Sequence, residues 1–296
     1  MTRLQADLLL IVAAAIWGLA FVFQKAASDH VGPMTFIAAR GAMAALALAP
    51  LAWLEWRRAE KVDAPGLGRI ALGAGALFFL AGWLQQFGIA TTTVTNSSFL
   101  TSLYVIFTPL LLWGLTGRAP SALVAVAVAL AMAGTWGLGG GGLSGFGTGD
   151  ALVATSAILW AAHMIATGRS ARFGLPLTFT CLQFVVVAVM AGASAMVFET
   201  PTVSGLVGAW ASILFVGLLS SALTFTLLAV AMKHTPASEA AILVSTETVF
   251  AAVAGAVLLG ERLPLIGWVG CALMMAATIL VQLAPTLDRK RNTSGS

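Results

Sequence analysis

The 296-residue chain is 59% hydrophobic and 9% charged, with a mean hydropathy of +0.98 and a formal net charge of +4. A soluble domain carries about 25% charged residues, so this surface cannot mostly face water, and a soluble enzyme with one deep core is excluded. The pI near 9.6 does not indicate nucleic acid, because the basic residues sit beside apolar spans where they act as topology signals.

A membrane span needs about 20 mostly apolar residues. In chain order the sequence predicts helices at 6–26, 33–54, 67–90, 95–115, 120–138, 149–168, 175–198, 205–231, 237–259 and 264–284. Pro33, Pro65, Pro120, Pro176, Pro236 and Pro264 stand near the predicted starts, where a missing N–H is harmless. The first span has no convincing small-residue cleavage site after it and is expected to remain as an anchor. Thr91–Asn96 is expected to be a tight polar turn. The stretch GLGGGGLSGFGTG at 137–149 superficially suggests a phosphate loop, but no strand precedes it and no lysine follows, so it reads as a flexible linker. Cys181 and Cys271 lie inside apolar segments without metal-ligand spacing.

Ten spans put both termini on one side. With the N-terminus inside, the inner segments hold Arg3, Arg57, Arg58, Lys61, Arg69, Arg118, Arg169, Arg172, Lys233, Arg289, Lys290 and Arg291, which is 12 of the 15 basic residues. The outer segments hold Lys25 and Arg262, so the positive-inside rule predicts N-in/C-in.

Sliding the chain against itself by 143 residues aligns Asp7 with Asp150, Trp17 with Trp160, Pro33 with Pro176, Thr35 with Thr178 and Phe36 with Phe179. The same offset aligns Ser102 with Ser245, Phe107 with Phe250 and Gly117 with Gly260. Five spans per unit is odd, so the second copy is expected to run the other way. The expected architecture is therefore an all-α integral membrane protein of ten transmembrane helices arranged as two inverted five-helix repeats. The repeats cover 1–138 and 150–284, joined by the 139–149 linker and followed by a basic tail at 285–296. Inverted repeats are a transporter signature, with the substrate site near the midplane at their interface.

Helical spacing sorts the polar residues into faces. Trp17, Phe21 and Gln24 share one side of the first helix; Trp160, Met164 and Thr167, joined by His163, share one side of the sixth. Such faces are expected to line a central cavity, although tryptophans also mark the headgroup belt, the favoured reading for Trp53, Trp56, Trp210 and Trp268. Ser97, Thr101, Tyr104 and Thr108 form a continuous polar stripe, which lipid cannot partner. Tyr104 is the only tyrosine, and its repeat partner is Glu247; both are candidates for the cavity. Phe79, Trp83 and Gln86 are added from the third helix, where adjacent Gln85 and Gln86 point in different directions. Two charges, Arg40 and Glu247, lie well inside spans and must face the bundle interior. Either they pair as a structural clamp, or Arg40 receives a substrate carboxylate while Glu247 attracts an amine.

The motifs Ile16-Trp17-Gly18-Leu19-Ala20-Phe21, Phe36-Ile37-Ala38-Ala39-Arg40, Thr246-Glu247-Thr248-Val249-Phe250 and Leu259-Gly260-Glu261-Arg262-Leu263 resemble those of the EamA family of the drug/metabolite transporter superfamily. Thr248 stands where that family commonly has proline, which puts a proline kink in the ninth helix in doubt. Within the family the chain is most similar to YddG-type exporters of aromatic and other neutral amino acids. The resemblance implies a multi-pass bacterial inner-membrane protein that exports a small molecule by alternating access; the residues carry no cofactor, metal or nucleic-acid motif. A multidrug or polyamine-like efflux carrier is the alternative. Inverted five-helix repeats favour a carrier over a channel, and an intramembrane enzyme would need a compact set such as HExxH, Ser/His or paired Asp that the residues do not supply.

Overall fold

The computed structural model describes residues 1–59, 63–138, 147–258, 260 and 265–293, with side chains described up to 280 apart from Leu138. Lys61, most of the glycine-rich linker, the Glu261-Arg262-Leu263 motif and the basic side chains of the tail lie outside the described residues. The described residues contain helices and short connections only. The main helices are α1 (Arg3–Ala27), α2 (Pro33–Arg58), α3 (Ala64–Ile89), α4 (Val94–Thr116), α5 (Ala122–Leu138), α6 (Thr148–Phe173), α7 (Pro176–Phe198), α8 (Trp210–Ala231), α9 (Ala237–Leu258) and α10 (Leu265–Thr293), with one short helix, Val203–Gly208, before α8. All but α5 and α10 are long and apolar enough to cross a membrane; α5 and the described apolar part of α10 are shorter. Helix starts follow the local chemistry. Thr2 forms a capping box with Gln5, Asp63 accepts from Gly66 N, Thr93 accepts from Asn96 N, and Pro33 and Pro176 occupy first-turn positions. The polar 91–96 stretch is thus only partly a turn, since α4 already begins at Val94.

The helices pair as two halves related by a two-fold exchange would. Equivalent helices meet one another, α2 on α7, α5 on α10 and α4 on α9. The unlike pairs come as matched sets: α3 packs on α6 as α8 packs on α1, α4 on α6 as α9 on α1, and α3 on α7 as α8 on α2. Side chains repeat the relation. Thr92 Oγ1 donates to Asp150 at 2.6 Å and Thr235 Oγ1 donates to Asp7 at 2.8 Å, four residues that exchange at the 143-residue offset. Gly117 and Gly260, another such pair, both adopt positive φ, near +70°, which a side chain would strain.

α4 and α9 are each interrupted at the same place. The first stops at Thr101 and resumes at Tyr104; the second stops at Val244 and resumes at Glu247. At each break the backbone tightens to i−3 bonds in identical register: Leu103, Val105 and Ile106 N–H donate to Leu100, Ser102 and Leu103, while Thr246, Thr248 and Val249 N–H donate to Leu243, Ser245 and Thr246. No proline stands at the α9 break. Instead the hydroxyls of Ser245, Thr246 and Thr248 bond back to the carbonyls of Ile242, Leu243 and Ser245, competing with the helical ladder. α9 is therefore interrupted without a proline.

Two carboxylates tie the central α2/α7 pair. Glu199, just past α7, accepts from Met34 N, Thr35 N and Thr35 Oγ1 at the start of α2, at 2.6–2.9 Å. Glu55, near the end of α2, accepts from Leu177 N, Thr178 N and Thr178 Oγ1 at the start of α7, at 2.7–3.3 Å. Each helix end thus caps its neighbour's free N–H groups, where negative charge is favoured.

The packing is inside out relative to a soluble protein. Leu46, Val189, Met196, Val207 and Leu265 are exposed, whereas Arg40, Gln85, Thr108, His163, Gln183, Ser221 and Glu247 are buried. Apolar side chains turn to lipid, and polar ones find partners among the helices. Trp53, Trp56, Trp210 and Trp268 are exposed near helix ends.

Candidate substrate cavity between the two halves

The breaks in α4 and α9 place Tyr104 and Glu247 at the first turn of a resumed helix, facing one another. Tyr104 Oη donates to Glu247 Oε1 at 3.0 Å, and the two residues are 143 apart in sequence. A pair that exchanges under the repeat can touch itself only on the axis relating the halves, so this bond marks the axis. Interrupted helices that meet at a central site are the way transporters expose backbone and polar groups to a cavity within the membrane.

Around that pair stands one tryptophan from each half. Trp17 of α1 donates its indole N–H to Ser220 O at 3.0 Å, and Trp160 of α6 donates to Gln85 Oε1 at 2.9 Å. Gln85 in turn donates to Thr101 Oγ1 at 3.3 Å, which links the indole to α4. Phe78 is the hub of the aromatic packing, with ring centroids 5.0 Å from Trp160, 5.0 Å from Phe225, 5.1 Å from Phe184 and 5.7 Å from His163. Phe225 lies 4.9 Å from Trp17, so one aromatic surface runs between the two tryptophans. α8 widens to π-helical bonding over Phe215–Leu223, delivering the Ser220 carbonyl to Trp17 and the Ser221 hydroxyl to Arg40.

Arg40 and Glu247 do not pair. Arg40 Nε donates to Ser221 Oγ at 3.0 Å, its Nη1 reaches Gln24 Oε1 at 3.4 Å, and its guanidinium sits 5.3 Å from the centroid of Phe78. Among the described residues the ion pairs are Arg3–Asp7 and Arg3–Glu239, and neither involves the two intramembrane charges. α9 turns Glu247 toward Tyr104 of α4, while Arg40 of α2 is held by α8 and α1, so the expected structural pairing is replaced by two separate sets of neutral partners. Both charged groups face one cavity of about 60 Å³, room for a handful of water molecules.

Of the residues singled out from sequence, Trp17, Phe21, Gln24, Arg40, Thr101, Tyr104, Trp160, His163, Met164 and Glu247 line this cavity. The others pack beside it. Gln86 donates to Gln24 O at 2.8 Å and Ser28 Oγ at 3.2 Å, tying α3 to α1. Thr167 donates to His163 O, Ser97 is fully buried, and Phe79 and Trp83 join the apolar core. The lining residues that sequence reasoning left out are Gln85, Ser220, Phe225 and Leu228. His163 is fixed by Gln183 Oε1 at 2.9 Å, and Gln183 is the repeat equivalent of Arg40. Among the described residues no group of three or more His, Cys, Asp or Glu is arranged to hold a metal.

The cavity is held at both ends. Where α1 begins, Arg3 bonds Glu239 of α9 and pairs with Asp7, which also accepts from Thr235. Where α1 ends, Lys25 Nζ donates to the carbonyls of Ile89, Ala90 and Thr92 at 2.7–3.0 Å, and Thr92 bonds Asp150.

A multi-helix apolar bundle of two equivalent halves around a polar, aromatic-lined cavity is the build of a membrane transporter. The chain belongs to the EamA-like transporter family, whose sequence profile matches residues 4–140 and again 147–283, one match per half. It is 29% identical over 291 residues to an uncharacterized transporter of Archaeoglobus fulgidus, covering 95% of this chain and 87% of the relative. A protein of known crystal structure shares the fold, with a TM-score of 0.76 at 17% identity over 96% of this chain and 99% of its own.

Proposed function

We propose that this transporter exports small neutral zwitterions, aromatic and other neutral amino acids foremost, by alternating access through the cavity between its halves. The observation that carries this reading is the composition of that cavity: an aromatic surface from Trp17, Phe225 and Trp160 beside one cation, Arg40, and one acid, Glu247. An aromatic side chain gains stacking and burial there, while the two polar ends meet groups of opposite sign. At about 60 Å³ the cavity is smaller than the roughly 300–1,000 Å³ usual for ligand sites, so admitting substrate requires the halves to move. In this reading the ten helices all span the cell membrane as inverted repeats with both termini cytoplasmic, the arrangement that the basic residues favour. The direction, export, rests on the resemblance to amino-acid exporters. A cationic drug or polyamine would be attracted by Glu247 but repelled by Arg40 in the same cavity, which ranks that substrate class second.

Counterflow in proteoliposomes tests the proposal. Purified protein, unlabelled amino acids inside and labelled tryptophan outside should give transient accumulation driven by internal Phe, Trp, Leu or Met, and Trp17→Ala or Tyr104→Ala should weaken it. Protein that accumulates no amino acid yet moves cationic dyes would overturn the reading in favour of multidrug efflux.

A further inference from the structure

Arg40 and Glu247 are charged cavity residues whose repeat equivalents carry no charge. Trp17 and Trp160 are the same residue in both halves, and the paired breaks of α4 and α9 have the same form. The charges break this symmetry. Arg40 in the first half corresponds to neutral Gln183 in the second, and Glu247 in the second corresponds to neutral Tyr104 in the first. Each half thus contributes one charge, and the two signs are opposite.

Neither charge is completed by the protein. Arg40 uses Nε and Nη1 on Ser221 and Gln24, and its Nη2 makes no hydrogen bond among the described residues. Glu247 receives Tyr104 on Oε1, and its Oε2 likewise has no partner there. Both side chains line the cavity. Burying a charge without its counter-charge is unfavourable inside a bilayer, and a buried polar group left unmatched discriminates strongly against a ligand that fails to meet it.

We propose that Arg40 and Glu247 are the two ends of one charge clamp: Arg40 receives the carboxylate and Glu247, held by Tyr104, receives the ammonium of a single zwitterion that bridges the halves. The inference rests on the amino-acid reading above and names the residues that set its selectivity. A ligand with only one charged end satisfies one half and leaves the opposite charge of the other half buried and unmatched. The clamp therefore selects against amines and carboxylic acids that share the same aromatic side chain. It also explains why neither residue has an ionic partner among the described residues: such a partner would occupy the place of the substrate's end group.

The test is direct titration of the purified full-length protein with three compounds that share one aromatic ring: phenylalanine, phenylethylamine and 3-phenylpropionate. The wild type is expected to bind phenylalanine at least tenfold more tightly than either single-charge analogue. Glu247→Gln should lose phenylalanine and phenylethylamine affinity while keeping that for 3-phenylpropionate, and Arg40→Gln should show the converse. If either variant fails to fold, Tyr104→Phe serves: it should weaken phenylalanine and phenylethylamine several-fold and leave 3-phenylpropionate unchanged. Phenylalanine bound no better than the two analogues would overturn the clamp while leaving the amino-acid carrier intact, as would Tyr104→Phe weakening all three equally. Absence of both phenylalanine binding and amino-acid counterflow would overturn the two proposals together.

Discussion

Gly18 offers the sharpest test of how the halves fit. It follows Trp17 on α1, and a Cβ built there would lie 2.6 Å from Glu247 O, 2.6 Å from Phe250 Cβ and 2.8 Å from Ala251 N. Two of those atoms are backbone, so no rotamer change relieves the contact. To reach an ordinary 3.4 Å separation, α1 must retreat from α9 by roughly 0.8 Å. Overpacking of this kind costs about 1–3 kcal/mol, while replacing a helical glycine by alanine returns about 0.8–1.0 kcal/mol in propensity. Gly18→Ala should therefore destabilise by up to about 2 kcal/mol net. Gly192→Ala in α7 is the matched control, because its nearest neighbour, Ala38 Cβ, would be 4.0 Å away, so only the propensity gain applies. The assay is thermal unfolding of the three purified proteins in one detergent, with expected order Gly18→Ala, wild type, Gly192→Ala from least to most stable. A Gly18→Ala protein as stable as Gly192→Ala would refute the inference that α1 and α9 meet backbone to backbone beside Glu247.

Four further outcomes follow from the geometry. Glu55→Ala and Glu199→Ala each remove a three-bond cap and should each cost about 1–2 kcal/mol; because they act on different helix starts, the double variant should lose close to the sum in the same unfolding assay. With Cys181 and Cys271 replaced by alanine, a reporter cysteine at Phe225 should become more reactive from one face of the membrane in Thr92→Val and from the opposite face in Thr235→Val, since these hydroxyls tie the two ends of the bundle; the same face for both would contradict that. Gln85→Ala should depress amino-acid counterflow by releasing the Trp160 indole, whereas Gln86→Ala should lower unfolding stability chiefly, its partners being Gln24 O and Ser28. Impermeant thiol labelling of single cysteines at Thr2 and Ser28 should report the cytoplasmic and external sides respectively.

Much of the fold was legible because a bilayer imposes a coarse grammar. Long apolar runs, prolines at first turns and the Asp7/Asp150 and Trp17/Trp160 coincidences needed no tertiary information. The Glu55 and Glu199 caps escaped because Glu55 plus the offset falls on Phe198, one residue short of Glu199, so an ungapped comparison passes over them. A physical signal did exist. An acid at a helix C-terminus opposes the macrodipole, and two such acids at the ends of α2 and α7 ask which other helix start they serve. The π-helical stretch of α8 had no comparable signal, since its bonding depends on neighbours far away in sequence.

On α3 the face expected from sequence and the face that meets the cavity differ by one angle. Phe79, Trp83 and Gln86 form an i, i+4, i+7 face of α3, and the structure turns toward the cavity and its aromatic hub the neighbouring face of Phe78, Gly82 and Gln85. The two faces differ by one residue, about 100° of helix rotation, and both carry phenylalanine and glutamine, so periodicity alone cannot choose. The glycine could have chosen. Gly82 is the repeat equivalent of Phe225, whose ring packs against Phe78 and reaches to 4.9 Å from Trp17. On the proposed reading of an aromatic substrate, large side chains at both of these positions would crowd the ring, so one half supplies the aromatic group and the other omits it. Asymmetry at matched positions, Gly82 against Phe225 as much as Arg40 against Gln183, is how a duplicated framework comes to enclose a ligand that is not itself symmetric.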